Sequence, residues 1–109
     1  MTGTDREETI AEFHRAVTMT AGDLEKWLDT EESRNTGQSS GGGESVGHAS
    51  GRRIVELLRT KRDDLTDDDV AHMRKVVGYV HRHLAQRPQG DVTDTRWRYS
   101  LMNWGHDPA

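Results

Sequence analysis

The sequence predicts an all-α fold, an irregular bundle of about five helices with one long Gly/Ser-rich loop. Three observations carry this. Apolar residues recur at helical spacing, most plainly Val70, Met73, Val77, Val80 and Leu84 at intervals of 3, 4, 3 and 4. Helix start and stop residues bracket the periodic stretches. No run of period-two alternation long enough for a strand occurs, so little or no sheet is expected.

Taken in order, residues 5–19 read as an amphipathic helix, with Thr4 and Glu7 at capping-box spacing and Ile10, Phe13 and Val17 on one face. Thr20 and Asp23 mark the start of a short second helix whose apolar edge is Leu24, Trp27 and Leu28. Residues 30–51 change character, because six of the eleven glycines lie between Gly37 and Gly51 with four serines among them. That composition predicts a loop. A helix follows from about Ser50 to Thr60, carrying Ile54, Val55, Leu57 and Leu58, and Val46 would extend the same face back to Ser45. The longest helix is predicted over 67–86. Thr66 is its N-cap, Asp67, Asp68 and Asp69 suit the positive end of its dipole, and Pro88 stops it. A last helix at about 94–104 starts at Thr93 or Asp94, places Trp97, Leu101 and Trp104 on one side, and has Gly105 for its C-terminal cap.

With 109 residues, 31% hydrophobic and 31% charged, the chain is one lean domain. No apolar run approaches a membrane span, and the start MTGTDREE lacks the order of a signal peptide. The absence of cysteine excludes disulfides and thiolate metal sites and suits the cytoplasm. The net charge of −4 is unevenly spread: residues 1–33 hold nine acids and three bases, the remainder ten acids and twelve bases. Two stretches are sharply positive. Arg52 to Arg62 has five bases and one acid, and His72 to Arg87 has four bases, three histidines and no acid.

Three features bear on chemistry. On the 67–86 helix, Lys75, Tyr79, Arg82 and Gln86 form a band opposite the apolar stripe, flanked by His72 and His83. Bases around an aromatic ring with no acid nearby suit phosphate contact and base stacking. In the second basic block, Arg52, Arg53, Arg59, Lys61 and Arg62 could add phosphate contacts, although Glu56 is spaced to pair with Arg52 and Arg59. The third is GGGESVGHASGRR, where Gly43, Ser45, Gly47, His48, Ser50, Gly51 and Arg52 form a candidate phosphate-binding loop entering a helix. No Gly-Lys-Ser/Thr follows it and no strand precedes it, so neither a P-loop nor a dinucleotide fold is expected.

Enzyme readings fare worse. His81 and His83, two apart, point to different sides of a helix, so neither a metal site nor any cofactor is expected. Ser45 or Ser50 with His48 lacks a rigid nucleophile elbow and an oxyanion site.

The stretches LEKWLDTEESRNTGQSSGGGESVGHASGRRIVELL, DDVAHMRKVVGYVHRHLAQRP and DTRWRYSLMNWGHDP resemble domain-of-unknown-function family 3140 over about residues 22–108. The resemblance implies that the Gly-rich segment is ordered, and it implies DNA binding only loosely, since members are often labelled so. It brings no catalytic residue. It leaves 1–21 as an acidic N-terminal helix, a candidate accessory to a single helical domain over 22–109.

The expected function is therefore non-catalytic binding of nucleic acid, DNA foremost, through a basic helix flank with little sequence readout. The alternatives are a protein-interaction or self-associating helical module, and a phosphate or metabolite binder at the Gly-rich loop. A helix-turn-helix placement is disfavoured, because Asp63, Asp64 and Asp67 to Asp69 sit where the recognition helix would meet phosphates.

Overall fold

The computed structural model describes residues 3–36 and 44–108. Among them are six α-helices and no strand: α1 (Gly3–Ala16), α2 (Ala21–Leu28), α3 (Glu31–Arg34), α4 (Val46–Arg59), α5 (Asp67–Leu84) and α6 (Arg96–Asn103), with a 3₁₀ turn at Arg62–Asp64. The all-α class is as expected, with one helix more than the five predicted.

Two helix pairs make the body of the bundle. α1 lies along α5 and α2 along α4, and α6 crosses the seam between the pairs, touching α2, α3, α4 and α5. The predicted stripes face one shared core. Phe13, Leu24, Ile54, Met73, Val76 and Leu101 are among its fully enclosed side chains. The N-terminal helix is thus part of the core, since Ile10, Phe13, Ala16 and Val17 are all buried in it.

Local chemistry sets the element ends. Thr20, Thr30, Ser45, Thr66 and Thr95 each stand in extended backbone before a helix and accept a hydrogen bond from the amide three residues on. At Thr66 the bond is reciprocal, because the Asp69 carboxylate accepts from the Thr66 amide at 3.0 Å. α6 ends in a Schellman turn: Gly105 adopts φ +83°, its amide reaches Met102 O at 2.9 Å, and the His106 amide reaches Leu101 O at 3.0 Å. The carbonyl of Gly105 in turn accepts from Thr18 and Met19, which ties the α1–α2 connection to the end of α6.

Several predicted boundaries move. α1 spans Gly3–Ala16 rather than 5–19, so residue 4 lies inside the helix and not at its cap. The loop predicted over 30–51 is much shorter: Thr30 caps α3, and Ser45 caps α4 at the earlier of the two expected starts. Residues 37–43, the glycine-richest part of that loop, lie outside the described residues. α5 stops at Leu84, two residues short of the prediction. α6 starts after Thr95 and not at Thr93 or Asp94, because the Asp91 carboxylate holds the Thr93 amide and hydroxyl (2.9 and 2.6 Å) in a separate turn.

Candidate nucleic-acid interface

The small residues before and within α4 turn inward. Ser45 is the N-cap. A Cβ on Gly51 would come within 2.5 Å of Asn103 O and 2.6 Å of Leu28 Cδ2, and one on Gly47 within 3.2 Å of Trp104 Nε1. These glycines let α4 approach α6 and α2 closely. Ser50 is buried and shares a 2.9 Å hydrogen bond with His72 Nε2. The His48 ring lies between the Glu44 carboxylate and Leu28 O, 2.7 Å from the latter. Glu44 also takes the Arg52 guanidinium, which holds its carboxyl below the usual range. The anion at the start of α4 is therefore one of the chain's own carboxylates. Of the predicted phosphate loop, Gly43 lies outside the described residues, and Ser45, Gly47, His48, Ser50, Gly51 and Arg52 are engaged in the fold.

The basic block after α4's first turns is neutralised in a similar way. Arg53 meets Asp69 at 3.3 Å, Arg59 meets Glu25 at 3.0 Å, and Arg62 is 3.9 Å from Glu7. The expected pairing of Glu56 with Arg52 and Arg59 is replaced by these contacts, in which the acid comes from another element or, for Arg52, from the residue before Ser45. Lys61 is exposed, and among the described residues no carboxylate pairs with it. A cleft of about 820 Å³ between α2 and α4 is lined by both signs, including Glu25, Asp29, Arg34, Arg52 and Arg59.

The outer face of α5 differs. Arg74, Lys75, His81 and Arg82 are exposed there, and among the described residues none has a carboxylate within ion-pair distance. Arg82 lies back over Gly78, where a Cβ would stand 3.0 Å from Arg82 Nη1. The dipole of α5 accounts for cations in its last turn, but Arg74 and Lys75 are mid-helix. Arg74 and His81 were not singled out by the band through Lys75 and Arg82, although both belong to the same acid-free run.

Tyr79, predicted as a stacking platform beside these cations, is turned into the fold. Its ring stacks on Trp104 at 4.2 Å and on His83 at 5.3 Å, both at 13°. His72 extends this column beyond Trp104, and Trp97 extends it beyond His83. Arg87 closes the Trp97 end, 5.3 Å from the ring centre. Burial raises the Tyr79 phenol, lowers His83, and pushes His72 down to about 4, with Arg53 and Lys75 adding to the last. Both histidines are thus neutral parts of the α5–α6 seam.

The family model described as "Protein of unknown function (DUF3140)" matches residues 12–102. The chain belongs to this family. No curated protein and no solved structure is significantly similar to it. The DUF3140 match begins earlier than the resemblance over 22–108, taking in the end of α1 from Glu12, with Phe13, and Val17 just after it. All of α5, α6 up to Met102 and the column residues His72, Tyr79, His83 and Trp97 lie within the DUF3140 region, and Trp104 stands two residues beyond it. Among the described residues, no group of three His, Asp or Glu side chains is arranged to hold a metal ion, and no helix is long and apolar enough to cross a membrane.

Proposed function

We propose that this DUF3140 protein is a non-catalytic, cytoplasmic nucleic-acid-binding protein that takes the phosphate backbone of DNA along the outer face of α5. One observation carries the reading: Arg74, Lys75 and Arg82 stand exposed and without a carboxylate partner among the described residues, while the arginines of the 52–62 block are matched to acids. Cations left unmatched on an ordered helix are available to replace phosphate counterions. The face offers no apolar anchor of the kind that centres a protein interface, since its surface between the cations is Ala71, Gly78 and Ala85. Asp67 and Asp68 at the other end of α5 favour contact along the flank rather than insertion of the helix N-terminus.

The non-catalytic part rests on accessibility. Among the described residues Ser50 and His72 form a hydrogen-bonded Ser–His pair, yet Ser50 is only 5% exposed and the His72 ring stacks against Trp104. A nucleophile has to be reached by its substrate.

The test is a binding titration with DNA at low salt, comparing the native chain with a Lys75→Glu/Arg82→Glu variant. Both side chains are exposed, so the variant should keep the native helical circular dichroism and lose on the order of a hundredfold or more in affinity. Undiminished affinity in the folded variant would place the binding face elsewhere.

A further inference from the structure

The fate of the aromatic side chains says which form of nucleic acid fits this face. We infer that the ligand is a double strand held by its backbone, and that single strands bind more weakly; this rests on the α5 face being the binding surface. Single-strand binders combine a positive groove with exposed aromatic rings on which bases stack. This chain has six Phe, Trp and Tyr residues, all within the described segments, and none is exposed. Phe13, Trp97 and Trp104 are buried. Tyr79 lies within the column between Trp104 and His83, and Trp27 and Tyr99 pack on each other at 5.3 Å. Arg87, whose guanidinium could stack on a base, already lies over Trp97.

Shape leads to the same ligand. The cations stand in a row along the exposed side of an 18-residue helix, where Arg74 also borders a recess of about 300 Å³ with Thr9, Glu12, Val77 and Gly78. From Arg74 to Arg82 the helix rises about 12 Å. A duplex is stiff and presents about one charge per 1.7 Å of axis, so a rigid row of cations can meet several phosphates without ordering the ligand first. A single strand would lose conformational freedom on the same row and gain no stacking in return. Beyond Asp69 the exposed side of α5 carries Ala71, Arg74, Lys75, His81 and Arg82 and no Asn or Gln to read adenine. Cations along a helix flank meet phosphates before base edges, which fits binding independent of sequence.

The experiment uses the full chain and fluorescence anisotropy with three probes: two unrelated duplexes of about 30 base pairs, longer than α5, and an oligo-dT strand of equal length. The duplexes are expected to bind at least about tenfold more tightly than oligo-dT and within about threefold of each other. Lys75→Glu/Arg82→Glu should abolish the duplex signal, and the milder Lys75→Gln/Arg82→Gln should weaken it in the same order. Oligo-dT binding as tight as duplex would overturn the inference and leave phosphate binding by the α5 face intact. A tenfold or larger gap between the two duplexes would overturn the backbone-only part. No binding of any probe at low salt would overturn the function proposed for the face itself.

Discussion

Asn103 carries more of this structure than any feature of its sequence position suggests. It is almost wholly enclosed, accepts from Trp27 Nε1 at 2.8 Å and Ser33 Oγ at 2.5 Å, and donates to Ser33 O at 3.2 Å. One amide thereby fastens α6 to α2 and α3. Leucine in its place would strand the indole N–H and the serine hydroxyl, each at a cost of about 1–3 kcal/mol. Asn103→Leu is expected to lower unfolding free energy in urea by at least about 2 kcal/mol; a change below about half that would show that water replaces the lost partners. The neighbouring glycines divide in the same physical way. Gly51→Ala would drive a methyl into Asn103 O and Leu28, and an overpacked site of this kind costs about 1–3 kcal/mol. Gly22 has open space around it in the first turn of α2, so Gly22→Ala should stabilise by about 0.4–1 kcal/mol. Paired urea melts of the two variants with opposite signs would confirm that space, not glycine content, is what matters at these positions.

At the scale of elements, α5 joins a surface of charge to a seam of neutral rings, and His72 sits on the border. The groups facing it are Ser50, Arg53 and Asp69 with Lys75 and Trp104, and the net effect is a folded-state value near 4 against 6.5 when unfolded. The folded form therefore binds fewer protons than the unfolded chain between those values, so stability is complete above about pH 6.5 and falls as pH drops toward 4. After allowance for solvent screening, His72 should account for about 1 kcal/mol of the stability lost between pH 7 and pH 5. His72→Gln should flatten the pH dependence by that amount, and an unchanged slope would show that the ring titrates normally. The same element shows what a sequence makes legible. The 3,4,3,4 stripe, Thr66 and the acids behind it are local signals, and they survive intact as core face and capping box. Ser45 was legible only as the earlier possible start of α4, through Val46 on the same face; its capping of the His48 amide is seen in the structure. α3 was not legible, since its four residues are held from outside by Asn103, 70 positions from Ser33. Nor was the burial of Tyr79. The band through Lys75, Tyr79 and Arg82 is correct in angle, but whether its edge is wet depends on where α6 crosses, and no spacing within α5 encodes that crossing.

Across the whole molecule the charge pattern separates two roles for arginine that composition alone merges. Arg59 and Glu25 are 34 positions apart and meet at 3.0 Å, so the arginines of α4 are spent on joining elements. Arg74, Lys75 and Arg82 meet no acid among the described residues, and the net charge of −4 means that any polyanion must be drawn in by this face against the average field. Binding that depends on so few cations has a recognisable salt signature. With three phosphates engaged, log K should fall by about 2.7 per tenfold rise in salt on duplex DNA, and Lys75→Gln should reduce that slope by about 0.9. Arg59→Ala removes an exposed ion pair, so it should shift stability by no more than about 1 kcal/mol and leave both affinity and slope unchanged. The two variants carry the same change in net charge, so a difference between them can come only from where the charge stands. Equal losses of affinity would mean that the field of the whole molecule, not the α5 face, governs binding. A loss confined to Arg59→Ala would instead move the interface to the cleft between α2 and α4.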